Sequence, residues 1–212
     1  KISRLILLTK IPVSVARNAC SVLILNLIII YFKFNKKKII FFYHPRKLLT
    51  FIHQFYIEDL LEDVPENYSV IYGHEVNKNI GKKYFYIKQG YLKFIFNIDL
   101  FISNNICDVF PPKTTKIYLH HNVYDDPWVS QNKEKKMCQR LSNYNFIFLS
   151  SKMLIKMLDD TFRKYNLEKF PSLREIGYLR IDYLQRKYSE KLKIKKNSIL
   201  IAPTLFEAFP EF

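Results

Sequence analysis

Glycine is nearly missing from this chain: four in 212 residues, at positions 73, 81, 90 and 177. That spacing leaves no G-x-G-x-x-G and no Walker loop, so the two commonest backbone cradles for phosphate are excluded. Cysteine is as sparse. Cys20, Cys107 and Cys138 stand far apart with no C-x-x-C, which argues against a disulfide framework or zinc module and for a reducing compartment. Acidic residues are outnumbered 19 to 34 by Lys and Arg, and the formal net charge is +15. Lysine supplies 26 of those 34, scattered among Ile, Asn, Phe and Tyr while alanine is almost absent, the pattern of an AT-rich coding bias. The charge therefore favours anionic partners in general, lipid or a phosphate-bearing substrate as readily as nucleic acid. With 49% hydrophobic and 25% charged residues, the chain can bury a sizeable core and is not intrinsically disordered.

The longest apolar run, Ala19 to Phe32, has fourteen uncharged residues and is followed at once by Lys33 and Lys36-Lys37-Lys38. Arg17 and Asn18 cut it below the roughly 20 residues of a spanning helix, and no small-residue cleavage site precedes the lysines. It reads either as a long helix packed on the domain or as one lying in a membrane with the lysines at the headgroups. The chain lacks an initiator Met and ends soon after a strand, so it is expected to be a piece of a longer protein.

From residue 39 short apolar runs alternate with amphipathic stretches. Strands are expected at Ile39–Tyr43, Tyr68–Tyr72, Tyr84–Ile87, Asp99–Ser103, Lys116–Leu119, Asn145–Leu149 and Ser198–Ala202. Helices are expected over Leu48 to Leu60, around Tyr91–Ile98, through Leu141, after a Ser150-Ser151 cap, and from about Ile181. Short, wholly apolar strands alternating with helices point to an α/β class, a Rossmann-like and mostly parallel sheet covered on both faces. Three regions are expected: the apolar helix at 1–35, the Rossmann-like lobe at 36–192, and the start of a second lobe at 193–212.

Ligands of open α/β sheets gather at the carboxyl ends of strands. That rule selects His44, Gly73-His74, Ser103-Asn104-Asn105, His120-His121 and Ser150-Ser151. The richest stretch runs from Lys116 through His120-His121 to Asp125-Asp126-Pro127-Trp128. Neighbouring residues on a strand point to opposite faces, so the two histidines do not readily share a metal ion. One His acting as general base, oriented by Asp125 or Asp126, is more economical. A plain structural role, one His in the core and Asp125 capping a turn, stands beside it.

A strand leading to His120-His121, then Ile176-Gly177-Tyr178-Leu179-Arg180-Ile181-Asp182, then Ile199-Leu200-Ile201-Ala202-Pro203-Thr204, resembles the CDP-glycerol glycerophosphotransferases that build teichoic acids. In that family a strand leads to His-Gly, a G-x-P-R-x-D motif follows, and the second lobe opens with I-L-x-A-P-T. The resemblance covers most of residues 36–206. Asn122 stands for the family Gly and Leu179 for Pro, which implies a diverged donor or acceptor. The resemblance implies a two-lobed, glycosyltransferase-B-like enzyme at the cytoplasmic membrane surface. Such an enzyme moves glycerol phosphate from a CDP-linked donor to a hydroxyl of a polymer or lipid-linked primer.

It further implies His121 as the family histidine, with His120 as register-shifted rival, and Gly177, Arg180 and Asp182 as the inter-lobe motif. From the residue reading above, Asp125 would support the histidine and His44, His74 and Asn104, at strand ends, would line the substrate cleft. No metal, no cofactor and no nucleic-acid partner is implied, and most of the donor site would lie in the second lobe, leaving these 212 residues catalytically silent by themselves. Two other readings stand: a sugar transferase or nucleotide-sugar epimerase on the same scaffold, and a non-catalytic basic module binding membrane or nucleic acid. Lysines interleaved with aromatics over Tyr84–Tyr91 suit stacking on bases, although the apolar alternation there reads better as core.

Overall fold

The computed structural model describes residues 13–44, 61, 63–75, 84–120, 134–167 and 169–188. The expected helix over 48–60, the segment from His121 to Trp128, the strand Ser198–Ala202 and the 192/193 boundary lie outside these residues.

A 22-residue helix, α1 (Val13–Phe34), opens the described chain. It stops where Lys36 turns back with φ +57° and Lys37 N–H bonds to the carbonyl of Phe32. Seven strands follow: β1 (Lys38–His44), β2 (Tyr68–His74), β3 (Tyr84–Tyr86), β4 (Leu100–Ser103), β5 (Thr115–Leu119), β6 (Phe146–Leu149) and β7 (Ser172–Glu175). All pair in parallel, in the order β3-β2-β1-β4-β5-β6-β7. Among the described residues a 3-10 helix (Gln89–Phe94) and the α-helices α2 (Glu134–Leu141) and α3 (Lys152–Lys164) stand between strands, and α4 (Leu179–Tyr188) follows β7. The chain is thus an α/β protein with a Rossmann-like parallel sheet.

Residue pattern explains the layering. In β1 every residue after Lys38 is buried, as a central parallel strand covered on both faces requires. Its odd positions Ile39, Phe41 and Tyr43 join Val22, Leu25 and Ile29 of α1 in one core. Its even positions Ile40 and Phe42 join Leu61 and Leu119, with Leu179 and Tyr183 of α4 packed against them. Burying each such side chain contributes about 1.5–3 kcal/mol. Beside the α1 layer, Leu154, Leu158 and Phe162 of α3 and Cys138 and Leu141 of α2 close over Ile147, Leu149 and Tyr118. Ser151 caps α3 as expected, its side chain accepting the Leu154 N–H at 3.3 Å.

Two expectations need correction. The stretch Ser172–Glu175, absent from the expected strands, is a strand pairing with β6 from Phe146 to Leu149. Its S-L-R-E sequence, half-exposed at the end of the sheet, carries no apolar run to betray it. The segment around 91–98 is a 3-10 helix ending at Phe94, with Ile95 already extended. β2 runs on through Gly73 to His74.

Candidate functional site

Because every strand runs the same way, their carboxyl ends share one edge. β1 leads on one side to β2 and β3, while β4 opens the other side, so strand order reverses between β1 and β4. In open parallel sheets such a reversal parts the connections and leaves a crevice beyond the strand ends. The residues at its lip are His44, ending β1, and Ser103-Asn104, ending β4.

Alternation of side chains divides the polar ends between the two faces. His44 follows Ile40 and Phe42 on the α4 face, its ring centroid 6.2 Å from that of Phe42. His74 is its register partner on β2 and meets Tyr86 of β3 edge-on at 6.2 Å. Asn104 directly follows Ser103, the register partner of Tyr43, and so stands beside His44 at the crevice. These three are buried, His44 and His74 at 3% and 4% exposure and Asn104 at 0%. Ser103 and His120 lie on the α1–α3 face instead, where the His120 ring is 6.2 Å from the Tyr118 ring and its backbone N–H donates to Phe148 O at 2.9 Å. The structure therefore brings His44, His74 and Asn104 together and sends His120 to the other side.

Two buried polar atoms here, Asn104 Nδ2 and Ser150 Oγ, find no hydrogen-bond partner among the described residues. Leaving a buried donor unmade costs about 1–3 kcal/mol. An oxygen-rich ligand in the crevice would satisfy the Asn104 amide, and a free amide N–H can only donate, so it suits an acceptor such as a phosphoryl or hydroxyl oxygen.

The loop carrying Asn104 is held from behind. Tyr144, just before β6, places its hydroxyl 2.9 Å from Ser103 Oγ and accepts the Cys107 N–H at 2.8 Å. Burial pushes the Tyr144 phenol well above its usual range and, as the main cause, the Cys107 thiol up to about 12. Arg140 of α2 ties down the next turn through Asp108 and the carbonyl of Ile106. Beyond His74, Glu75 meets the Tyr43 hydroxyl at 3.0 Å and also receives the Gln89 N–H. Burial, then Glu75, raises the Tyr43 phenol far above normal. Sequence reasoning missed Tyr144 and Glu75. Glu75 had a signal, its place directly after a strand-ending histidine; Tyr144 had none.

Gly177 and Asp182 are also neighbours: Gly177 has φ +75°, and a Cβ placed there would lie 3.8 Å from Asp182 Oδ2. Arg180 and Asp182 fall in the first turn of α4, where an acid complements the helix dipole. They follow β7, four strand positions from β1. α4 nevertheless turns back over the sheet, Leu179 and Tyr183 packing against the cluster of Ile40, Phe42 and Leu119. His121 and Asp125 lie outside the described residues. No group of three or more His, Cys, Asp or Glu able to hold a metal occurs among the described residues. The chain matches no family model, no curated protein and no solved structure.

Proposed function

We propose that the chain is the first lobe of a glycerophosphotransferase-like enzyme, moving glycerol phosphate or a related polyol phosphate from a CDP-linked donor to a hydroxyl acceptor. The observation that carries this reading is the cluster of buried polar groups, His44, His74 and Asn104, at the reversal point of a parallel sheet. The Gly177–Asp182 motif resemblance supports it. Membrane contact through the apolar α1 places the reaction on the cytoplasmic membrane face in this reading, with a polymer or lipid-linked primer as acceptor.

The chemistry is one displacement. The acceptor oxygen attacks the phosphorus that carries the glycerol, the bond from that phosphorus to the bridging oxygen breaks, and CMP leaves. A neutral imidazole takes the acceptor proton. His120 faces away from the His44–His74 pair; the base of this reading is His121, the family histidine of the resemblance, with Asp125 in support. Asn104 donates to a substrate oxygen, and Arg180 spreads the developing charge, the main protein contribution in phosphoryl transfer.

CMP release from CDP-glycerol by the full-length protein tests this. His121→Ala should lower turnover about 10²–10⁴-fold, the usual cost of losing a general base, and His120→Ala far less. Equal small effects would leave both histidines structural, and the reverse ranking would make His120 the base. Absence of CMP release with the intact protein, glycerol and ribitol donors both tried, would overturn the reading.

A further inference from the structure

α1 is polarised the wrong way round for a water-facing helix. Its polar residues point at the protein: Asn18 accepts the Lys88 N–H at 2.7 Å, and Lys33 meets Asp99 at 2.5 Å. Asn26 donates to Phe94 O at 2.9 Å and accepts from Phe96 N at 3.1 Å. Its outward face is Leu23, Ile24, Leu27, Ile30, Tyr31 and Phe34, all exposed. The two bonds of Asn26 set Phe94 and Phe96, 48% and 51% exposed, beside this face.

We propose that the outward face of α1 together with Phe94 and Phe96 forms a single surface that lies in the headgroup region of an anionic bilayer, with α1 in the membrane plane rather than across it. This deepens the membrane part of the reading above and is independent of its chemistry. α1 is long and apolar enough to span, but its inner face is committed: Leu25 and Ile29 are sealed in the sheet core, and the Asn18, Asn26 and Lys33 bonds would all have to break. One-sided burial in lipid to about 5–10 Å keeps every one of them.

Charge selects lipid over a second copy of the chain. Neither Val13–Phe34 nor Gln89–Phe94 contains an acidic residue, and exposed Lys36, just past the end of α1, and Lys93, over the Phe94 ring, flank the patch. A two-fold dimer through this face would set lysine rim against lysine rim, whereas an anionic bilayer neutralises them.

Cys20 supplies the readout. It lies exposed on the outward side of α1, while Cys107 and Cys138 are buried. A charged, water-soluble maleimide should label Cys20 of the complete chain in buffer, and phosphatidylglycerol vesicles should slow labelling roughly tenfold, phosphatidylcholine vesicles much less. The pair Phe94→Ser and Phe96→Ser, both surface changes, should restore most of the rate while circular dichroism stays native. Unslowed labelling with phosphatidylglycerol would overturn the proposal. So would protection that the Phe variants leave untouched, which a spanning helix gives, or protection without vesicles in a dimer. None of these readouts involves turnover, so a failed transferase assay leaves the test intact.

Discussion

At the scale of single residues, the site depends on groups that never reach the crevice. The Tyr144 hydroxyl satisfies the buried Cys107 N–H and pairs with Ser103, and between these two partners runs the loop with Asn104. Tyr144→Phe keeps the ring, which packs edge-on against Phe110 at 5.1 Å, and removes only the oxygen. The Cys107 N–H is then orphaned, a loss of about 1–3 kcal/mol. Denaturant melts should show that loss, and hydrogen exchange should quicken at 104–107; unchanged exchange there would mean the loop is held by packing alone. This divides what was legible from what was not. His44, His74 and Asn104 were readable because an apolar run that ends in a polar residue marks a strand's end. Tyr144 was not, because its partners lie 37 and 41 positions away and only the folded sheet brings them near. The faces were half readable: alternation separates neighbours, but only the packed layers tell that His120 sits apart from His44 and His74.

Elements show the same division. Strand β1 announces itself, since Ile-Ile-Phe-Phe-Tyr has no other place than a sheet centre. β7 does not: Ser-Leu-Arg-Glu is a strand because the free side of β6 accepts it, a tertiary reason and not a local one. Among the described residues, the one glycine inside a strand is explained by its neighbour. At Gly73, register partner of Tyr43, the Phe41 ring of β1 lies across the place where a Cβ would be, with Tyr43 Cδ2 3.2 Å from it. Gly73→Ala should therefore push the Phe41 ring out of a fully packed core at a cost of about 1–3 kcal/mol. Thermal unfolding would register it, and a Phe41→Leu partner change should recover part of the loss. An additive double variant would show that the crowding comes from elsewhere. The strand so shifted ends in His74, making Gly73 the point where core packing and site geometry meet.

The whole molecule joins two surfaces through one helix. α1 runs opposite to the strands: Lys33 meets Asp99 at the start of β4, while Arg17 lies 4.4 Å from the Tyr86 ring and Asn18 bonds to Lys88, beyond the end of β3. Its outward apolar face thus reaches from one sheet edge to the edge bearing His74. The core on this face of the sheet, under α1, α2 and α3, is rich in weak acids that burial keeps protonated. Burial raises Cys107 to about 12 and Cys138, with Glu134 adding, to about 11, and it lifts Tyr43 and Tyr144 as well. In the unfolded chain these groups ionise near pH 8.5 for thiols and about 10 for phenols. Above those values the unfolded state binds fewer protons than the folded one, so stability must fall as pH rises. Their contribution is whole below about pH 8.5 and drains away toward about pH 12, at about 1.4 kcal/mol per pH unit for a fully buried thiol. Lys116 opposes it weakly, being held below its usual value by burial and then by Lys169. That strain eases as the lysine neutralises, but the group is partly exposed and stands against four acids. Urea midpoints at about pH 7.5 and about pH 10.5 should accordingly differ by well over the error of the fit, the alkaline one lower. A flat profile would mean that water reaches Cys107 and Tyr144, and the sealed packing behind the Asn104 loop would have to be redrawn.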